Sequence, residues 1–423
     1  MTPAARIAAA IELLAAIDGS PTRPADAVAN DYFRGRRFIG GGDRRAVSDR
    51  VWCILRTYRR LTWWLADKPT PRLLVAASLL LDGGAMADIA AVYTGGQFAP
   101  AALAPSEQSA LRRLQGRSLE HASMPDAVRL EMPDWLLPHL SPRFDDAELA
   151  ALLVPAPLDL RVNLLKATRE QVRAALAAEG LEAALTPFSP WGLRIEGRKL
   201  VTTGPAFRAG LVEIQDEGSQ LVAVLVGAAP GMRVADWCAG AGGKTLAMAM
   251  MMQNRGQLLA CDVSAARLDG AVRRLRRAGV HNVERHLIEP GDKWAKRRGG
   301  SFDRVLVDAP CTGTGTWRRN PDARLRLRES DLSELLPKQA AIMDQAGGLV
   351  RIGGRLVYAT CSLLPEENED QVSAFLTRHP GFALVPLLRA WPGAPPNAGD
   401  FLSLTPARHG TDGFFGAVLE RRA

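Results

Sequence analysis

The sequence predicts an α/β protein. A Rossmann-like domain is expected over residues 210–423, a small α+β module over 146–209 and an all-helical amino-terminal domain over 1–145. Three observations lead there. From Gly210 onward, short and nearly continuous apolar runs alternate with helical stretches, the pattern of a parallel sheet covered on both faces. Three of those runs end in aspartates and a fourth ends beside a cysteine, so chemistry-bearing side chains collect at one sheet edge. The first third of the chain instead carries apolar residues at helical spacing.

In the amino-terminal part, Ile7, Ile11, Leu14 and Ala15 mark one face of a helix, and a second helix is expected through residues 43–52. Between them, Arg34-Gly35-Arg36-Arg37 reads as a cationic loop, and Arg44, Arg45, Arg50, Arg56, Arg59 and Arg60 extend the basic region. Such a cluster suits a phosphate backbone, although any one arginine fits a solvated helix surface equally well. Trp63 and Trp64 stand beside Leu61 and Leu65, which favours core packing over base stacking.

In the α+β module, residues 158–163 alternate apolar and polar as a strand does. Thr168 is a helix N-cap, the helix runs to Ala178, and Gly180 ends it. Pro187, Pro190 and Gly192 then break the chain before a short strand at 193–196. In the third domain, strands are expected at 234–236, 258–262, 304–308 and 354–360, ending in Asp236, Asp262, Asp308 and just before Cys361.

Bulk properties agree with this plan. A chain of 423 residues allows two or three domains. The 47% hydrophobic and 23% charged content is that of a folded, water-exposed protein. A net charge of +8 favours a polyanionic partner. The five cysteines (53, 238, 261, 311 and 361) show no metal-ligand spacing, and their odd number argues against a disulfide framework. No metal is expected. Acidic residues (Glu12 and Asp18; Asp82 and Asp88) interrupt the apolar stretches, so neither a targeting segment nor a membrane span is read. A cytoplasmic monomer is expected.

Residues 236–245, D-W-C-A-G-A-G-G-K-T, link the first of these strands to a helix. Glycines let the backbone turn tightly and let a ligand approach it, and the helix amino terminus beyond offers free N–H groups. Asp262, ending the next strand, can accept hydrogen bonds from both hydroxyls of a ribose. The turn is neither G-x-G-x-x-G nor a P-loop. Its leading carboxylate, Asp236, suits the amino group of a methionine moiety. The ligand inferred is S-adenosylmethionine, held by Cys238, Ala239, Gly240, Ala241, Gly242, Gly243, Lys244 and Asp262.

Two cysteines stand over the same pocket, in D-A-P-C at 308–311 and T-C-S at 360–362. Each alone reads as a buried core thiol. Together with an acidic neighbour they fit methylation at carbon 5 of cytosine. A thiolate adding to carbon 6 makes carbon 5 enamine-like, which divides one hard step into two easier ones. A carboxyl group bonded to N3 and the exocyclic amine would stabilise the adduct. The thiolate needs electropositive surroundings, and Lys244 is the candidate. The target base must leave any stack, which is cheapest in single-stranded RNA. Chemistry alone leaves both cysteines eligible as nucleophile.

These motifs together resemble the RsmB/NOL1/NOP2/Sun family of RNA cytosine-5 methyltransferases, over roughly residues 146–423. The cofactor motif is similar to 236–245, departing at Ala241, where the family usually has proline. The resemblance implies ribose binding by Asp262 and places Asp292 and Asp308 in the cofactor site, Asp292 near the adenine. It implies that Cys361 attacks, that Cys311 assists product release and that Asp308 orients the cytosine. Pro365-Glu366-Glu367-Asn368-Glu369 follows as in bacterial members, and 146–209 looks like the family's RNA-binding module. The amino-terminal helices resemble, more weakly, the NusB-like domain of the bacterial RsmB branch, which implies 16S rRNA as the partner. Two alternatives stay open: a tRNA or DNA substrate, and a catalytically silent RNA-binding or antitermination-type factor.

Overall fold

Side-chain alternation along the strands explains the layering of the carboxyl-terminal part. Val234, Leu258, Leu306 and Val357 join one core with Leu221, Val222 and Met248. Their chain neighbours Ala235, Leu259, Val305 and Leu356 join another with Met343 and Phe375. Successive strand residues face opposite ways, so a strand buried on both sides is apolar throughout. The computed structural model describes residues 1–66, 69–197, 199–395 and 399–423. They divide into two units, Met1–Val154 with Trp317–Arg328, and Pro155–Thr316 with Glu329–Ala423.

The second unit holds two sheets. The smaller contains β1 (Leu158–Val162), β2 (Ala184–Leu185), β3 (Gly192–Ile195) and β4 (Val212–Ile214), antiparallel in the order β2-β3-β1-β4. Thr168 caps the helix Arg169–Ala178, its side chain accepting from the Gln171 amide. The fourth strand lies beyond residue 209, so this sheet extends past the boundary expected for the module.

The larger sheet contains β5 (Arg233–Asp236), β6 (Gln257–Asp262), β7 (Val283–Leu287), β8 (Phe302–Asp308), β9 (Val350–Thr360), β10 (Phe382–Val385), β11 (Leu402–Leu404) and β12 (Phe414–Arg421). Its order is β10-β12-β9-β8-β5-β6-β7, with β11 paired to β12. Strands β5 to β9 are parallel. The expectation of a parallel sheet is corrected at one side, where β12 runs antiparallel to β9, β10 and β11. The chain builds outward from β5 through β6 to β7, then returns to place β8 on the other flank of β5. That reversal opens a crevice at the carboxyl ends of β5 and β8, the usual ligand position in open α/β sheets.

The first unit is helical. Its first helix, Pro3–Asp18, starts at Thr2, whose hydroxyl accepts from the Ala5 amide, and the expected second helix lies inside Gly41–Arg56. Leu13, Leu14, Val51, Ile54 and Leu74 are fully buried together. Trp64 packs against this core and donates to the Leu119 carbonyl.

The expected cationic loop is corrected at its start. Arg34 and Gly35 end the helix Ala25–Gly35, and Arg34 pairs with Asp31. Arg36 pairs with Glu12, Arg50 with Asp82, Arg59 with Asp134, and Arg60 with Glu120 and Glu131. Arg56 donates to the carbonyls of Trp52 and Arg318. Acceptors within the unit thus meet several of these guanidiniums, while Arg34, Arg37 and Arg45 stay exposed.

Residues 317–328, expected within the 210–423 domain, are part of this first unit. Trp317 is completely buried. Asp322 accepts from the Ala25 amide at the start of its helix. The buried Arg324 donates to the Leu55 carbonyl and stands 3.5 Å from the buried carboxylate of Glu131.

Candidate active site

The site begins with the turn that leaves β5. Asp236 is 1% exposed, and its Oδ2 accepts from the Thr245 hydroxyl at 2.7 Å. Its Oδ1 is buried and makes no hydrogen bond among the described residues. Burial pushes this carboxyl up to about 7, against the lowering effect of the Thr245 bond. Gly240 and Gly242 have φ of +54° and +80°, a left-handed geometry that side chains resist. This lets the Gly240 amide donate to Asp262 Oδ2 at 2.8 Å, and Gly242 caps the helix Gly243–Met251.

The turn closes a cavity of about 420 Å³, inside the usual range for small-ligand sites. Cys238, Ala239, Gly240, Ala241, Gly243 and Lys244 line it, as do Asp236, Asp262 and Asp308. Gly242 shapes the turn without lining the cavity. Asp262 Oδ1 accepts from the Ser264 amide at 2.8 Å, which fixes the carboxylate in place. The apolar side of the cavity comes from Trp237, Val263, Ile288 and Ile342, none of which stands out in the sequence.

Asp292 lies outside this cavity. It lines an adjoining trough that shares Trp237, Val263 and Ile288 with it. Its carboxylate meets His286 Nε2 at 2.6 Å and accepts from the Trp294 amide at 2.8 Å. The Trp294 amide, followed by His286, holds it below the usual carboxylate range. The Trp294 ring stacks on His286 at 4.5 Å.

At the ends of β8 and β9 Cys311 and Cys361 meet. Asp308 pairs with Ala359 in register, and two residues after Ala359 the Cys361 Sγ lies 3.5 Å from the Cys311 Sγ. The contact with Cys361, reinforced by burial, raises the Cys311 thiol well above its ordinary value. Lys244 Nζ reaches Asp308 Oδ2 at 2.7 Å and lies over the Phe414 ring at 5.4 Å. Burial opposes its charge, but the Asp308 carboxylate outweighs burial and keeps the ammonium protonated. The electropositive group expected near the thiols is therefore present, already shared with Asp308. The Gly315 amide donates to the Cys361 carbonyl at 2.9 Å, and a Cβ on Gly315 would come within 2.3 Å of the Gly413 carbonyl oxygen.

The cavity fits S-adenosylmethionine on its own features. The unpartnered Asp236 Oδ1 can receive an ammonium, Asp262 can receive ribose hydroxyls, and the apolar wall suits a purine. Among the described residues there is no cluster of three His, Cys, Asp or Glu able to hold a metal, and no helix long and apolar enough to cross a membrane.

Comparison with known proteins bears on the whole chain. The family model described as 16S rRNA methyltransferase RsmB/F matches residues 223–420, and an RsmF/B-like ferredoxin-like domain model matches 132–202. A Synechocystis sp. protein named probable ribosomal RNA small subunit methyltransferase B is 34% identical over 352 residues, 78% of each chain. The crystal structure of PH0851 covers 100% of this chain and 99% of its own, at 27% identity and a TM-score of 0.79. A methyltransferase homologue from Pyrococcus horikoshii covers 70% of this chain and 97% of its own, at 28% identity and a TM-score of 0.61. With that identity sustained across most of both chains, this protein belongs to the 16S rRNA methyltransferase RsmB/F family.

Proposed function

We propose that this S-adenosylmethionine-dependent rRNA methyltransferase methylates carbon 5 of a cytosine in 16S rRNA, with Cys361 as the nucleophile. The observation that carries the reading is the pair of thiols 3.5 Å apart beside Asp308 and the cofactor cavity. The Thr360-Cys361-Ser362 segment resembles the one that carries the family's attacking cysteine, which supports Cys361 as nucleophile and Cys311 as the release cysteine.

S-adenosylmethionine, when bound, supplies the methyl group that carbon 5 accepts. Asp236 would hold its ammonium, Asp262 its ribose, and the turn at 238–244 its remaining length, with Asp292 steadying the rim on the adenine side. Cys361 Sγ adds to carbon 6, and Asp308 hydrogen-bonds the polar edge of the base, its charge balanced by Lys244. After transfer, water takes the proton from carbon 5, that bond's electron pair re-forms the double bond between carbons 5 and 6, and Cys361 leaves as its thiolate, with Cys311 beside it to assist. The reading is of a monomer that acts on 16S rRNA in the cytoplasm.

Bisulfite sequencing of total RNA from cells with and without the gene tests this. One 5-methylcytosine should vanish from 16S rRNA. Loss from a tRNA instead would reassign the substrate, and no loss anywhere would refute the cytosine-5 reading.

A further inference from the structure

The segment after Cys361 carries two buried polar residues that the chemistry above does not use. Glu367 is 0% exposed and Asn368 is 4% exposed. Burying a carboxylate is costly unless its lone pairs are met. Those of Glu367 are met by the turn that carries Cys311. Its Oε1 accepts from the Thr312 amide at 2.9 Å and from Gln339 Nε2 at 2.9 Å, and its Oε2 accepts from the Thr312 hydroxyl. Gln339 Nε2 also donates to the Pro310 carbonyl at 3.0 Å. Glu367 thus grips the chain immediately after Cys311 and, through Gln339, immediately before it. Asn368 does the same around Cys361. Its Oδ1 accepts from the Thr360 hydroxyl, and its Nδ2 donates to the Ser362 carbonyl at 3.0 Å. The Glu367 carbonyl accepts from the Tyr358 hydroxyl on β9 at 2.6 Å, which ties both grips to the sheet.

We infer that Glu367 and Asn368 are a pair of positioning residues, Glu367 setting Cys311 for release and Asn368 setting Cys361 for attack. The inference rests on the proposed roles of the two cysteines. It makes the two substitutions fail at different steps, which a merely structural role would not do. A displacement on the ångström scale at a reacting atom costs up to about 100-fold.

The test uses the full-length protein, S-adenosylmethionine and 16S rRNA transcribed in vitro. It follows methyl transfer and the protein–RNA adduct that survives denaturing gels. Glu367→Ala should cut turnover about 10- to 100-fold with KM for RNA within about twofold, while the adduct accumulates. Glu367→Gln retains the amide acceptor and should recover part of that loss. Asn368→Ala should slow formation of the adduct and leave its breakdown unchanged. The inference is overturned if both alanine variants turn over like wild type. It is also overturned if both lose adduct formation and breakdown in equal measure, or if Glu367→Gln, folded by its melting curve, forms adduct slowly and releases it normally. Absence of any adduct with Cys311→Ala would instead defeat the assigned cysteine roles, separately from the positioning pair.

Discussion

Binding of S-adenosylmethionine should depend on pH through Asp236. In the ligand-free protein burial holds this carboxyl at about 7, well above its ordinary 3.8. A bound ammonium beside Oδ1 favours the ionised form, so binding lowers this value and affinity rises with pH. Between pH 8 and pH 6 the ionised share falls from about nine-tenths to about one-tenth, a loss in affinity of about tenfold or 1.4 kcal/mol. Titration calorimetry at pH 6, 7 and 8 measures it directly. At pH 6 about one proton should be released on binding, visible as a heat that changes with the buffer's ionisation enthalpy. Asp236→Asn should bind weakly at every pH and show no slope. The sign for folding is opposite. The native carboxyl holds its proton more tightly than the unfolded one, so from about pH 4 to 7 it lowers stability as pH rises. Ligand-free Asp236→Asn should therefore melt above wild type at pH 8. A flat wild-type affinity from pH 6 to 8, or the same slope in Asp236→Asn, would refute the assignment of the ammonium to Asp236.

Other perturbations separate the parts of the molecule. Cys361→Ala should abolish methyl transfer while S-adenosylmethionine still binds; transfer near the wild-type rate would remove Cys361 as nucleophile. Cys311→Ala should trap the covalent protein–RNA adduct, seen as a retarded band on denaturing gels. Glu131→Leu leaves the fully buried Arg324 without its carboxylate and should destabilise the helical unit by about 3–5 kcal/mol in denaturant titrations. A loss below about 1 kcal/mol would show that Arg324 is adequately served by the Leu55 carbonyl alone. Gly315→Ala forces a Cβ to within 2.3 Å of the Gly413 carbonyl oxygen, so the strands carrying Cys361 and Phe414 must shift and turnover should fall more than S-adenosylmethionine affinity.

Much of the site is legible in the order of residues along the chain. Strands β5, β6, β8 and β9 announce themselves because a strand buried on both faces must be apolar, and their polar last residues mark where burial ends. Strand β7 escapes notice because Val283–Leu287 is a half-exposed edge strand with a polar face. Strand β12 escapes it because nothing local in Phe414–Arg421 says that it slots antiparallel beside β9. The Asp-Ala-Pro-Cys and Thr-Cys-Ser segments identify the thiols. The clamp behind them lies in a segment that the sequence marks without a role.

The sequence by itself determined the features whose cause is local. Left-handed glycines made the cofactor turn, Thr168 capped its helix, and apolar runs ended in Asp236, Asp262 and Asp308. Only the tertiary structure decided which distant groups meet. Cys311 and Cys361, 50 residues apart, touch because β8 and β9 are parallel neighbours in one register. Arg56 found a carbonyl as far along the chain as Arg318. Asp292 went to His286 and Trp294 and left the cavity wall to its neighbours. Periodicity and turn chemistry act over a few residues and can be read in order along a chain. A hydrogen bond or thiol contact between residues far apart in sequence depends on strand order and register, which local chemistry leaves open.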